Sequence, residues 1–378
     1  MLLSLTIIVR DEAQLLAELL VQHRSLYDEA VVVDTGSRDD TRARALAHGA
    51  RVVDFPWCDD FAAARNAGLA AARGRWIICL DADERIATRD LPRLRTHVRR
   101  ATRDRCFLFG FRSYADRARH AEWQPVTGEY PDEELGQAGW IGCVNARLFP
   151  NRSDLRYRGR VHESVEPAAR QIGLSNEALD IPIHHYGLLR PAPVMAAKDD
   201  LYGRLVRAKF AEDPRSSGAG LEMACRLVEE GQALEALPLL EELAEREPAD
   251  AHVLRARLYL GHARRRQGRL DEASQLLVGL TESCPAWAQV WVELARTLAA
   301  AGRWVDLGAM LQRATRWHPG QPQLAQQEVV LLTVTGRVAE ASQLAAALAQ
   351  RHPGWEEARL LAARLAQFPL AGLSPSGR

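Results

Sequence analysis

Two residue types keep one period through the second half of the chain, and that period leaves few folds open. Prolines fall at 214, 248, 285, 319 and 353, spaced by 34, 37, 34 and 34. Glycines fall at 231, 268, 302 and 336, spaced by 37, 34 and 34. Five positions beyond each glycine stands a small or apolar residue: Ala236, Ala273, Leu307 and Ala341. Proline bounds a helix, and glycine supplies a turn with positive φ. The spacing therefore describes a helix–turn–helix unit repeated about four times, closed by a partial helix over 356–368. Such a unit cannot bury its apolar faces alone, so neighbours must stack into a solenoid.

This period, with Gly in the turn and Pro at the end, is the signature of the tetratricopeptide repeat. An array of this kind is expected to bind a protein partner, to self-associate, or to steady the rest of the chain. Trp287, Trp291, Trp304, Trp317 and Trp355 lie at helical spacing and read as core ahead of groove lining. Before the repeats, Pro191 and Pro193 mark a hinge, and 195–211 reads as a helix. The expected organisation is a first domain over 1–190, a linker helix over 191–213, repeats over 214–368 and a flexible tail over 369–378.

The first domain alternates strand and helix. Apolar runs at 3–9, 30–33, 51–55 and 76–80 read as buried strands, and 12–26, 39–48 and 60–73 carry helical periodicity. That alternation predicts an α/β domain built on a parallel, doubly wound sheet, with ligands outside the carboxyl ends of the strands. Acidic residues stand at three of those ends: Asp11, Asp34 and the Asp81-Ala82-Asp83 pair. Two carboxylates one residue apart at the end of a buried strand make a hard-oxygen site, suited to Mn²⁺ or Mg²⁺ carrying a diphosphate. The first loop has no G-x-G-x-x-G, which argues against a dinucleotide domain. Lys+Arg and Asp+Glu both number 49, so net charge gives no pointer to nucleic acid, and none is expected as a partner. The cysteines at 58, 79, 106, 143, 225 and 284 form no C-x-x-C, which suggests neither zinc nor a disulfide framework and fits a reducing, cytoplasmic setting. No apolar run approaches the roughly 20 residues of a transmembrane helix. The start reads as a strand, not a signal peptide.

Five stretches then carry a family resemblance: TIIVRDEA (6–13), VVVDTGSRDDT (31–41), ARNAGLAAARGRWIICLDADE (64–84), ARLFPNRSDLRYRGRVHESV (146–165) and IHHYG (183–187). From its start to about position 190 the chain resembles a family-2 glycosyltransferase of the GT-A fold, and within that family the members with a tetratricopeptide-like C-terminal part. The resemblance implies a nucleotide-sugar donor, most often UDP-linked, and inversion at the anomeric carbon. It places Val9 and Asp11 beside the base, Asp34 on the nucleoside, and Arg65 and Asn66 in the nucleotide pocket. Asp81 lies near ribose and metal, and Asp83 is the direct metal ligand. One position departs from the pattern: Thr35 stands where many relatives carry a second acid.

An inverting transferase must take a proton from the acceptor, a task for carboxylate or imidazole. Runs at 144–149 and 157–161 read as strands leading to His162-Glu163, with Glu163 as the expected base and His162 second. The competing account has both merely bonding strand ends. Imidazole can complete a metal shell, and of His184 and His185 the better match is His185. Neighbouring side chains on a strand face opposite ways, so one of the two should point into the site. The Arg-rich run 91–105 reads as a solvated face ahead of a surface for an anionic acceptor or partner. The run 113–140 is long and weakly periodic, which marks a lid or an acceptor-specific insertion. Its Trp123, Tyr130 and Trp140 either stack on a sugar or pin the segment down. The reading is a metal-dependent inverting glycosyltransferase with a polypeptide or saccharide acceptor. Its rivals are a tetratricopeptide adaptor with an inactive front domain and a nucleotidyltransferase. The latter is disfavoured by the lack of a basic, Gly-rich phosphate loop.

Overall fold

The computed structural model describes residues 1–115, 122–247 and 249–367. Pro248 of the proline series and the tail expected over 369–378 lie outside them. The chain forms two compact units, one built from 1–115 with 141–209, the other from 116–140 with 210–378.

The first unit contains β1 (Leu3–Val9), α1 (Ala13–Gln22), β2 (Glu29–Asp34), α2 (Thr41–Ala47), β3 (Arg51–Asp54), α3 (Phe61–Ala71), β4 (Trp76–Cys79), β5 (Glu84–Arg85), α4 (Leu91–Arg100) and β6 (Arg105–Tyr114). The second unit takes β7 (Trp123–Pro125), α5 (Pro131–Glu134) and the first residues of β8 (Gly139–Pro150). The chain then returns to the first unit for the rest of β8, α6 (Glu166–Gln171), β9 (Ser175–His185) and α7 (Ala192–Glu212) as far as Lys209.

The strand path is β3-β2-β1-β4-β8-β6-β9-β5. β3, β2, β1 and β4 are parallel, as the alternation predicts, and the strands that follow make the sheet mixed: β4–β8 and β5–β9 are antiparallel and β6–β9 parallel. The chain builds outward from β1 to β3, then crosses back to place β4 on the other side of β1. The switch point thus lies between the ends of β1 and β4, where Asp11 and Asp81–Asp83 stand. Leu3, Leu5, Ile7, Val32, Trp76, Ile78, Phe107 and Phe109 fill one core layer. α4 buries Leu91, Leu94 and Val98 and leaves Arg93, Arg99 and Arg100 exposed, as expected of a solvated helix face, whereas Arg95 turns back to the Leu26 carbonyl and Asp28.

Two elements differ from the sequence reading. Residues 157–161 form no strand. A single bridge between Arg158 and Ser164 closes a tight loop there, with Gly159 at φ 98° and His162 at φ 49°. The helix expected as a linker belongs to the first unit through Lys209. Tyr202 packs on Phe61 and on His162, and the Lys209 ammonium donates to the Val161 carbonyl at 2.8 Å.

The second unit continues as α8 (Ser217–Glu229), α9 (Ala233–Ala244), α10 (Ala251–Arg266), α11 (Leu270–Ser283), α12 (Ala288–Ala300), α13 (Trp304–Trp317), α14 (Pro322–Val334), α15 (Val338–Arg351) and α16 (Glu356–Ala366). The four period-marking glycines sit in the inter-helix turns at φ 66–80°, a region that favours glycine. Ala236, Ala273, Leu307 and Ala341 are each fully buried, so the second marker is a packing position. Trp291 and Trp355 are core, whereas Trp317 is exposed. All six cysteines are free thiols. Among the described residues no helix is long and apolar enough to cross a membrane.

Candidate active site

The site grows from the ends of β1, β2 and β4. β4 ends at Cys79, and a turn carries Asp81 and Asp83 before β5. Asp81 is the more open of the two, with 31% of its side chain exposed against 7% for Asp83. Arg65, on α3, reaches Asp81 with one nitrogen at 2.8 and 3.1 Å and bonds Glu163 through Nε. One guanidinium therefore joins the strand-end carboxylate to the expected base, although β5, β6, β7 and β8 separate the two along the chain. Burial alone would raise the Asp81 carboxyl. Arg65 and Arg147 outweigh it and hold that carboxyl well below the usual range.

Asp83 faces a different set. Its Oδ1 lies 3.8 Å from Nε2 of His185, and its Oδ2 lies 3.1 Å from Arg190, which also holds Glu12 at 2.5 and 2.8 Å. Burial pushes the His185 ring down, so it stays a neutral nitrogen donor. Its Nδ1 is 3.0 Å from the Ser113 hydroxyl. The register puts Glu84 opposite His185 and Arg85 opposite His184. His184 is fully buried with its Nδ1 2.7 Å from the Tyr114 hydroxyl. The alternation of the strand thus sends one histidine to the carboxylates and the other to the core.

Val9 ends β1 buried, and its carbonyl accepts from the Thr35 hydroxyl at 3.0 Å, which ties β1 to β2. Asp11 is exposed at φ 55°, and its Oδ1 accepts from the Arg38 amide at 2.7 Å. Asp34 accepts from Ser37 N–H and Oγ and from Arg42, and despite burial these bonds lower its carboxyl. Asn66 uses both ends of its amide on the Tyr157 backbone, at 2.9 and 3.0 Å. It therefore pins the 157–165 loop that carries His162 and Glu163. His162 is exposed and packs against the Tyr202 ring.

Sequence reasoning missed Glu12, Glu84, Arg147 and Arg190 as site residues. Arg147 is buried between Glu84 at 2.6 Å and Asp81 at 3.5 Å. Burial raises the Glu84 carboxyl, Arg147 opposes the rise, and Asp81 adds to it, leaving Glu84 at about 8. An arginine inside the apolar run ARLF was a usable signal, because a buried strand keeps a charge only when it is paired.

Five carboxylates (Glu12, Asp81, Asp83, Glu84, Glu163) meet Arg65, Arg147 and Arg190, and the charge of Lys198 also reaches Asp81 and Glu12. The cluster holds more carboxylates than arginines. An incoming diphosphate must therefore bring counter-charge with it. The residues fit a divalent ion: Asp83 and neutral His185 offer oxygen and nitrogen donors side by side. Gly187 keeps the space beside them open, since a Cβ there would overlap the His185 ring and lie 3.0 Å from Asp83 Oδ2. Among the described residues no three acidic, His or Cys side chains gather as a ready-made cage. Among those same residues, the buried Nε–H donors of Arg147 and Arg190 have no acceptor.

Residues 4–149 match the family model described as glycosyl transferase family 2, and 227–292 match that of the tetratricopeptide repeat. The front of the chain is thus similar to family-2 glycosyltransferases, and its second half to tetratricopeptide repeats. It is 31% identical over 277 residues to a TPR repeat-containing protein of Synechococcus elongatus, covering 71% of this chain and 63% of that one. An uncharacterized glycosyltransferase of Rickettsia felis is 33% identical over 85 residues, 22% of this chain and 30% of the relative. The chain thus spans less than two thirds of each of these relatives. A solved TPR protein of Thermus thermophilus aligns with 46% of this chain and 93% of its own at 20% identity and a TM-score of 0.38. The family-2 match covers β1 to β8 and stops before Glu163 and His185, which the fold brings to Asp81 and Asp83 from outside it.

Proposed function

We propose that this protein is a metal-dependent, inverting glycosyltransferase that moves a sugar from a UDP-linked donor to a polypeptide or saccharide acceptor. The observation that carries the reading is the Arg65 bridge between Asp81 and Glu163 at the switch point of the sheet. It supports a donor-side carboxylate and an acceptor-side base held within one side chain of each other.

Roles follow from these positions. Asp11, Asp34 and the end of β1 at Val9 border the nucleoside, with Asn66 holding the loop opposite. Asp83 and His185 would hold Mn²⁺ or Mg²⁺, which supplies positive charge to the diphosphate as the bond to C1 breaks. Arg147 and Arg190 bring buried N–H donors suited to an anionic ligand. Glu163 takes the proton of the acceptor hydroxyl, with Arg65 fixing its orientation. Arg65 and Asp81 leave Glu163 a defined position before any acceptor arrives, which is the pre-organisation that proton transfer needs.

Titrating UDP in the presence and absence of Mn²⁺, together with UDP release from UDP-sugars, tests the assignment. Asp83→Ala should lose the metal-dependent part of binding. Glu163→Gln should bind normally and lose turnover. Normal turnover by Glu163→Gln would remove Glu163 as the base. Failure of every nucleotide sugar to bind with metal present would leave the repeat adaptor as the better account.

A further inference from the structure

The insertion 122–140 is folded as part of the repeat unit. It is a small hairpin in its own right. The Val126 amide donates to the Ala138 carbonyl at 3.1 Å, and Glu134 accepts from the Gly128 amide at 3.1 Å. Its contacts with the repeats have the form of peptide recognition. Both carboxylate oxygens of Glu122 accept from one Arg255 nitrogen, at 2.9 and 2.7 Å, and one also accepts from the Tyr259 hydroxyl at 2.6 Å. Trp123 is buried against Trp355, with ring centroids 6.0 Å apart, and its carbonyl accepts from Gln323 at 2.6 Å. Beyond Pro125, the Val126 carbonyl lies 2.7 Å from His352 Nδ1.

These partners share a place in the repeat. Arg255 and Tyr259 lie on α10 and Gln323 on α14, each the first helix after a period-marking proline, and His352 and Trp355 lead into α16. One extended segment thus spans the first helices of several repeats through a side-chain carboxylate, an aromatic ring and two main-chain carbonyls. Gly354 allows the close approach, since a Cβ there would meet the Ala138 Cα at 3.1 Å, whereas Gly139 lets the hairpin close on its own Trp123 ring, which a Cβ would overlap.

We propose that the first-helix surface of the repeats is a binding site for an extended Glu-Trp peptide segment, and that this chain's own insertion is its resident ligand. The array then serves first to hold a segment of its own transferase chain, and an outside protein with the same acidic–aromatic chemistry binds only by displacing it. This inference stands on contacts within the repeat unit and does not depend on the donor or metal assignment.

Hydrogen exchange on the full chain tests it. Arg255→Met should speed exchange of the 124–128 and 136–140 amides roughly ten- to a hundredfold, the factor expected when a buried carboxylate loses its partner. Tyr259→Phe, which removes one hydroxyl, should do so several-fold, and α8 and α9 should be unaffected. A labelled peptide EWQPVTGEY should bind the full chain carrying Glu122→Gln, whose own segment has lost its charge on Arg255, at least tenfold more tightly than wild type. The same peptide with Gln in place of its first Glu should not bind. Unchanged exchange in Tyr259→Phe, equal peptide binding to wild type and Glu122→Gln, or no binding to Glu122→Gln would each overturn the proposal. Because Tyr259→Phe and Glu122→Gln leave the repeat core intact, the test survives a misfolded Arg255→Met.

Discussion

Replacing Arg65 by Met is the most informative perturbation of the first unit. Only 6% of the Arg65 side chain is exposed, and it holds two carboxylates by three charge-assisted bonds. Methionine keeps the stem and leaves both acids without that cation. Breaking a buried ion pair from one side costs about 3–5 kcal/mol. Asp81 keeps Arg147 at 3.5 Å and is 31% exposed, so its share is discounted, and the lower end, about 3 kcal/mol, is the working figure. Glu163, with 10% of its side chain exposed, carries most of the loss. Adding Glu163→Gln to Arg65→Met should therefore restore stability, with a coupling energy of about 1.5 kcal/mol or more, within the range for residues in one network. The assay is native-state hydrogen exchange of the β1 and β4 amides for the four members of the cycle, because a whole-chain melt mixes two units. A single mutant within about 0.5 kcal/mol of wild type, with no rescue by the second change, would refute the bridge as an energetic link.

Two other outcomes follow from the same unit. Burial holds His23 down to about 4 and His184 down to about 3, against about 6.5 in the unfolded chain. Between pH 6.5 and 4 the unfolded state binds these protons and the folded state does not, so stability should fall as pH falls, by about 3 kcal/mol for His23 alone. Denaturant midpoints of the first unit from pH 7.5 to 4.5 check this, and a flat profile would contradict it. Gly187→Ala should leave the fold's stability within about 1 kcal/mol, because His185 is near the surface of the site and can shift, yet weaken Mn²⁺-dependent UDP binding at least tenfold. Equal binding in both proteins would separate the Asp83–His185 pair from the metal.

The legible parts of this chain were those governed by period. Alternating apolar runs marked β1 to β4, and the carboxylates at their ends followed from strand direction alone. The repeat was legible because turn glycines and buried small residues each keep one phase. That only one of His184 and His185 faces the site was legible for the same reason, as adjacent strand residues face opposite ways; the choice of His185 rests on the resemblance around Tyr-Gly. What escaped depends on long-range pairing. The apolar run around Arg147 signals that it needs a partner without saying which, and nothing local distinguishes Arg190 from a surface arginine; their partners appear only when β8 lies beside β4 and the segment after β9 folds over Glu12. The 157–161 run, YRGRV, sets Tyr157 and Val161 in alternation with arginines as a strand would, but Gly159 and the left-handed backbone at His162 bend it into a loop that Asn66 fastens. The insertion was visible as an anomaly in length. Its destination was not, since Glu122 and Trp123 find their partners far along the chain, at Tyr259 and Gln323.

The carboxylate-rich cluster should accept a nucleoside diphosphate only together with a divalent cation, and the proposed chemistry rests on that coupling. Calorimetric titration of UDP into the full chain measures it directly. The expected result is binding in Mn²⁺ at least tenfold tighter than in EDTA, with that difference abolished in Asp83→Ala. Binding of equal strength in Mn²⁺ and EDTA, or none in either, would contradict it.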